Sequence, residues 1–357
     1  MTLRRVQVTG FRCLHRADLD LDPRFTLISG PNASGKTSLL EAVYVLGRGR
    51  SFRTRRLEPL IRSGAERMMV VGEAELPERR VILGVEGSPD GLRARVGGER
   101  VASLAELAWV LPVQIIDPEI HRLIEEGPNR RRRFLDWGVF HVEHSFVEHW
   151  QRYQQALRQR NAALKARQGR PAVTVWDIEL ARYGELITEA RRRYVEQLAP
   201  VAASLAGRLL DLELVLAYRP GWATASDLRT ALEASFSRDQ ELAATQVGPH
   251  RADLAIRLEG ATVRDRVSRG QQKLLAAVLL LAQIKLFPED SRALPTLLLD
   301  DPAAELDSVH LRALLDEVRS QPLQLVVTTL QATESELALF GAPGRRFEIE
   351  RGEVRAV

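Results

Sequence analysis

The chain has 357 residues and a mass of about 40 kDa, with 45% hydrophobic and 27% charged side chains; that is enough for one large or two modest domains and excludes a disordered or fibrous protein. A net charge of +4 and a sequence pI near 9.5 are compatible with a polyanionic partner without demanding one. The single cysteine, Cys13, excludes an intramolecular disulfide, the start MTLRRVQVTG has no signal-peptide run, and the longest nearly apolar stretch, Leu274 to Leu286, is broken by Gln283 and Lys285, so a cytoplasmic protein with no membrane span is expected.

The first elements read as strands: Val6 and Val8, then Leu19 and Leu21, then the apolar run Phe25 to Ser29. A glycine-rich loop follows, and Leu39, Leu40, Val43 and Leu46 then recur at helical spacing. Three β-like pieces, Met68 to Glu75, Arg80 to Val85 and Leu92 to Val96, predict an antiparallel layer. After Val113 the character changes. Apolar residues at Tyr153, Leu157 and Leu164, and again from Leu180 to Tyr194, predict two amphipathic helices joined at Arg167-Gln168-Gly169-Arg170-Pro171 as a short antiparallel hairpin. This hairpin is rich in arginine, which by itself implies no more than a solvated face. Strands return at Asp253 to Leu258, Pro295 to Asp300 and Gln324 to Thr329, with a helix from Ser268 to Leu286, and Phe347 to Ile349 with Val354 to Val357 close as a hairpin around Gly352. The predicted architecture is α/β, a discontinuous head (1–113 and 246–357) interrupted by a mainly helical lobe (114–245).

Only four lysines, Lys36, Lys165, Lys273 and Lys285, stand among the 51 basic residues, so each invites a reason. Lys36 has one. Gly30-Pro31-Asn32-Ala33-Ser34-Gly35-Lys36-Thr37 matches G-x-x-x-x-G-K-[ST] between a strand and a helix, the context a P-loop requires. Its backbone N–H groups and the helix dipole would cradle the phosphates of ATP, Lys36 would reach the β and γ phosphates, and Thr37 would offer its hydroxyl to Mg²⁺. Such a loop needs a carboxylate at the end of a neighbouring strand, and Leu297-Leu298-Leu299-Asp300-Asp301 supplies two: Asp300 as metal ligand, Asp301 to polarise or position the attacking water.

The next segment, Pro302-Ala303-Ala304-Glu305-Leu306-Asp307, is similar to the D-loop of ABC-type ATPases, and Ser268-Arg269-Gly270-Gln271-Gln272 resembles their signature. Within that group the chain resembles the RecF family, of the SMC-like branch. The likeness is carried by Ser51-Phe52-Arg53-Thr54, Gly127-Pro128 with Arg131 and Arg132, Phe134-Leu135-Asp136, Phe140-His141, Gln159 to Lys165 and Gly248-Pro249-His250-Arg251-Ala252-Asp253, besides the P-loop and signature. The resemblance implies an ABC-type P-loop ATPase head in which Ser268, Arg269, Gly270 and Gln271 meet the γ-phosphate held by a second copy. It implies Gln114 as a Q-loop residue sensing the metal, and Asp307 as part of the D-loop. It further implies an ATP-dependent homodimer, a weak DNA-stimulated ATPase, binding to double-stranded and gapped DNA, and work with RecR and RecO in loading RecA.

The switch histidine of transporters is replaced by Val327-Thr328-Thr329, leaving Thr328 or Thr329 as the candidate γ-phosphate contact. Arg130, Arg131, Arg132, Arg160 and Lys165 are candidate DNA contacts. His141, His144, Glu148 and His149 match no zinc-enzyme spacing. Two other readings, a transporter ATPase subunit and an SMC-like tether, fit poorly: the insertion between Gln114 and Ser268 is Arg-rich, and it is too short for a long coiled coil.

Overall fold

The computed structural model describes residues 2–75, 79–258, 261–262, 267–288, 291 and 293–357. They form two compact units, Met1–Ile120 with Glu289–Val357, and His121–Pro288.

In chain order the first unit begins with β1 (Thr2–Phe11), β2 (Leu14–Asp20) and β3 (Phe25–Ser29), then α1 (Lys36–Arg48). Next come β4 (Met68–Glu75), β5 (Arg80–Ser88), β6 (Gly91–Val96), β7 (Glu99–Arg100), α2 (Ala105–Val110) and β8 (Val113–Ile116). The second unit holds α3 (Arg122–Glu125), α4 (Pro128–Val142), α5 (Phe146–Lys165), α6 (Arg170–Thr174), α7 (Asp177–Leu210), β9 (Leu214–Arg219), α8 (Leu228–Leu242), β10 (Asp253–Leu258), β11 (Ala261–Thr262) and α9 (Arg269–Lys285). The chain then re-enters the first unit with β12 (Thr296–Asp300), α10 (Pro302–Glu305), α11 (Ser308–Arg319), β13 (Gln324–Thr329), α12 (Glu334–Phe340), β14 (Arg345–Glu350) and β15 (Glu353–Ala356).

Among the described residues the first unit has two sheets. One is antiparallel in the order β2-β1-β4-β5-β6-β7, and its inward side chains alternate with solvent-facing ones, as in Met68, Val70, Gly72 and Ala74 of β4. The other runs β15-β14-β3-β13-β12-β8, with β14, β3, β13, β12 and β8 all parallel. Its central strands are continuous apolar runs because both faces are covered. Helix α1 lies against both sheets, and Leu39, Leu40, Val43 and Leu46 join strand residues of each in one core. The approach is close: a Cβ on Gly72 of β4 would lie 2.3 Å from Leu46 Cδ2. The fully buried Gln324 ties the two layers, bonding the backbone N–H and C=O of Leu3 at 2.9 and 2.7 Å.

In the second unit α5 and α7 pack as the antiparallel hairpin, and β9, β10 and β11 form a small antiparallel sheet. The compact units divide at 120/121 and 288/289, whereas the sequence reading placed the limits at 113/114 and 245/246. At the first limit the difference is β8, which pairs with β12 of the first unit; at the second it lies in β10 and α9, which pack on β9, α4 and α7, partners that hydropathy along the chain does not name. No helix among the described residues is long and apolar enough to cross a membrane.

Candidate nucleotide-binding site

The P-loop leaves the end of β3 between two close neighbours. Gly30 N donates to Thr329 O at 3.2 Å, and a Cβ on Gly30 would lie 2.2 Å from Ile349 O, so only glycine lets the chain turn here. Ala33 and Gly35 take left-handed backbone angles, φ 62 and 116, wrapping the loop before α1 begins at Lys36. No side chain caps α1, and its first turn holds no acidic residue, so its leading N–H groups and positive dipole end face the loop. The Ser34 hydroxyl is buried inside the loop with no hydrogen-bond partner among the described residues. Lys36 is 5% exposed and folds back over the loop. Its Nζ donates to Gly30 O at 2.7 Å and Pro31 O at 3.3 Å, and sits 3.5 Å from Asp301 Oδ2.

The carboxylates arrive on β12, whose last residue, Asp300, is paired with Thr328 of β13. Thr37 Oγ1 lies 2.9 and 3.1 Å from the two Asp300 oxygens. Thr328 Oγ1 donates to Asp300 Oδ1 at 2.8 Å and accepts from Asp301 N at 3.0 Å. Burial pushes the Asp300 carboxyl above its ordinary range and the adjacent Asp301 adds to this, while the two threonine hydroxyls and Lys36 pull the other way. Asp301 itself is held at φ 48, a conformation costly for a residue with a Cβ, just before α10. A hydroxyl beside a carboxylate, a second carboxylate beside an ammonium, an orphaned loop hydroxyl and a glycine cradle are donors that fit a nucleoside triphosphate and a Mg²⁺ ion.

Other expected residues fall elsewhere. Gln114 lies on β8 and is buried. It pairs with Leu297, three residues before the end of β12, and the alternation of a strand turns it to the face opposite Asp300. Val113 and Ile115, its neighbours, point to the α1 core. Thr328 is fully buried behind the carboxylates, and the Thr329 hydroxyl donates to Glu336 Oε1 at 2.9 Å, so both orient protein groups. Asp307 caps α11, accepting from Val309 N and His310 N at 3.1 and 3.0 Å. Glu41 of α1, which the sequence reading missed, is fully buried and takes both Arg12 nitrogens at 2.9 and 2.7 Å, with Ser51 and Arg53 on the same carboxylate. A lone acid on the apolar stripe of α1 was its signal.

In the second unit, Ser268 begins α9 with a capping box: its hydroxyl accepts from Gln271 N, and Gln271 Oε1 accepts from Ser268 N. Ser268, Arg269, Gly270 and Gln271 are all exposed, and among the described residues outside its own helix turn nothing lies within 4 Å of the place a Cβ on Gly270 would take. Of the proposed DNA contacts, Arg160 is 0% exposed, bound to Asp177 at 2.7 Å and Asp239 at 2.6 Å; it cannot touch a phosphate, and that assignment is corrected. Arg130 pairs with Glu126, Arg131 is bidentate on Asp253, and Arg132 donates to Ala252 O and Asn129. Lys165 is exposed. His141 is buried among the rings of Trp137, Phe140 and Phe287, and the break between α4 and α5 separates it from His144 and Glu148.

Residues 2–340 match the family model described as RecF/RecN/SMC N terminal domain. The chain is 42% identical, over 99% of its own length and 98% of the relative's, to the DNA replication and repair protein RecF of Pseudomonas putida (strain GB-1). A solved structure of the recombination mediator protein RecF with ATP, in the RecFOR pathway, superposes with a TM-score of 0.90 at 27% identity, covering 100% of this chain and 97% of that one. An Smc head bound to the C-winged helix domain of ScpA is similar in fold, with a TM-score of 0.61 at 18% identity, covering 100% of this chain and 97% of that one.

Proposed function

The chain belongs to the RecF family, SMC-like ABC-type ATPases of DNA replication and repair, and from that premise we propose that it is an ATP-switched clamp on DNA. The loop from Gly30 to Thr37 binds the triphosphate, with Lys36 exchanging its carbonyl partners for phosphate oxygens. Thr37 and Asp300 hold Mg²⁺, which when bound supplies positive charge against the oxygens of the transferring phosphoryl group. Thr328 keeps Asp300 turned towards Thr37, and Asp301 accepts a proton from the attacking water. Hydrolysis is slow and serves to release DNA, both duplex and gapped, and RecR and RecO are the partners with which RecA is loaded. The transporter and tether readings lose their support with the family membership.

One observation carries the dimer. Glycine inside a helix costs about 0.5–1 kcal/mol against alanine, yet no group among the described residues needs the space at Gly270. A second copy, bringing its bound triphosphate against the exposed Ser268 hydroxyl and the α9 N–H groups, does need it. Size-exclusion chromatography with and without ATP tests this reading. The wild-type chain is expected to dimerise with ATP, and Ser268→Arg to bind nucleotide yet stay single. A wild-type chain that stays single at every ATP concentration refutes the clamp, and a Ser268→Arg chain that dimerises normally refutes the signature assignment.

A further inference from the structure

The charge balance of the second unit is uneven. Around the start of α4 the arginines are already engaged by Glu126, Asp253, Ala252 O and Asn129. The hairpin is different. From His149 to Trp176 the chain contains no carboxylate at all. Arg160 in this stretch is neutralised from elsewhere by Asp177 and Asp239, but Arg158, Lys165, Arg167 and Arg170 are exposed and form no ion pair with any described residue.

Their placement is ordered. Arg158 and Lys165 are seven residues apart on α5, so they project within about 20° of one another and about 10 Å apart along the axis. Arg167 and Arg170 follow at the tip, where Arg167 takes a left-handed angle, φ 51, and Gln168 N donates to Ala163 O at 3.1 Å. The Arg170 guanidinium lies 4.8 Å from the centre of the Phe236 ring, and Phe236 belongs to a small core with Ala163, Leu164 and Val173 that braces the tip. Four cations are thus carried on a braced frame, Arg158 and Lys165 about 10 Å apart along α5, and none is ion-paired with a described residue. A phosphate backbone, with one charge per roughly 1.7 Å of duplex axis, offers several anionic partners across each such spacing.

We infer that the tip of the α5–α7 hairpin, through Arg158, Lys165, Arg167 and Arg170, is the surface that grips the phosphate backbone of duplex DNA. The inference rests on the DNA-binding reading above and adds the face and the residues. Contacts of this kind position the duplex without reading its bases.

The test is fluorescence anisotropy of a labelled mixed-sequence duplex with the full chain and ATP, from about 50 to about 200 mM salt. The variants are the fourfold Arg158→Gln, Lys165→Gln, Arg167→Gln, Arg170→Gln chain and each single substitution. Each phosphate contact contributes about 0.9 to the slope of log affinity against log salt, so the fourfold variant should be shallower by about 3 to 4 and each single one by about 0.9. ATP-dependent dimerisation and the thermal midpoint should stay at wild-type values, and Arg130→Gln should leave the slope unchanged. A fourfold variant with wild-type affinity and slope overturns the assignment and leaves the DNA reading intact. So does one that keeps duplex binding but loses RecR or RecO, which would give the tip, with exposed Val175 and Ile178 beside it, to a protein partner. A wild-type chain with no affinity for duplex overturns the DNA reading itself.

Discussion

Replacing Arg160 by methionine separates a structural role from a functional one. Its guanidinium is 0% exposed, and the Asp177 and Asp239 side chains that it joins are 6% and 0% exposed. It also donates to Thr245 Oγ1 at 3.0 Å, and Thr245 in turn donates to Asn161 Oδ1 at 2.8 Å through both its N–H and its hydroxyl. Methionine fills much of the volume but leaves two buried carboxylates facing each other without a counter-ion, a loss of about 3–5 kcal/mol. For a body of this size that lowers the melting midpoint by roughly 10 °C. Calorimetry at neutral pH measures it, and anisotropy below the new midpoint should show duplex affinity unchanged. Burial already pushes the Asp177 carboxyl above its ordinary range, and Arg160 is what pulls it back, so without Arg160 it titrates higher still in the folded variant than in the unfolded chain. Its penalty is therefore full at neutral pH and shrinks as the pH falls through that raised value. Asp177→Asn in the same background should recover part of the loss. A variant that melts within a degree or two of wild type and no longer binds DNA would refute the reasoning, since it would make Arg160 a phosphate contact.

Further outcomes follow from the same geometry. Gly30→Ala places a Cβ against the backbone oxygen of Ile349 at 2.2 Å, so nucleotide affinity by titration calorimetry should fall more than about tenfold; wild-type affinity would mean that the loop has room to shift. Gly270→Ala meets open space and should stabilise the isolated chain by about 0.5–1 kcal/mol, with nucleotide binding unchanged and ATP-dependent dimerisation weakened; unimpaired dimers would remove the case for close approach at this residue. Thr328→Val removes the hydroxyl shared by Asp300 and Asp301 N, and steady-state ATP turnover should drop by about tenfold or more, whereas an unchanged rate would show that Asp300 needs no such brace. His250, bonded through Nδ1 to the Tyr153 hydroxyl at 2.7 Å and through Nε2 to Thr245 O at 3.0 Å, has its pKa lowered to about 4, chiefly by burial. Its neutral form therefore contributes stability that is whole above the unfolded value near 6.5 and is lost as the pH falls from there through about 4, on the order of 3 kcal/mol. His250→Gln should flatten that part of the stability profile measured by urea titration, and an equally steep profile in the variant would assign the dependence to other groups.

What could be read without coordinates was local. The strand, glycine loop and helix from Phe25 to Arg48 are adjacent in the chain, so backbone sterics and hydrophobic period set their arrangement within a few residues. The helix opening at Ser268 was legible in the same way, from the apolar helical run that follows it. Residues whose surroundings come from distant segments were read less well. Gln114 and Asp300 lie on paired strands, and which faces meet depends on a register shared by segments almost two hundred residues apart. Arg160 and Lys165 look alike as basic residues of one helix; folding brings Asp177 and Asp239 to the first and leaves the second in solvent. Composition and period thus determined which elements form and where the P-loop sits. Tertiary structure decided which charges are neutralised inside the protein and which remain for a partner, because desolvation and ion pairing depend on neighbours in space and not on neighbours in sequence.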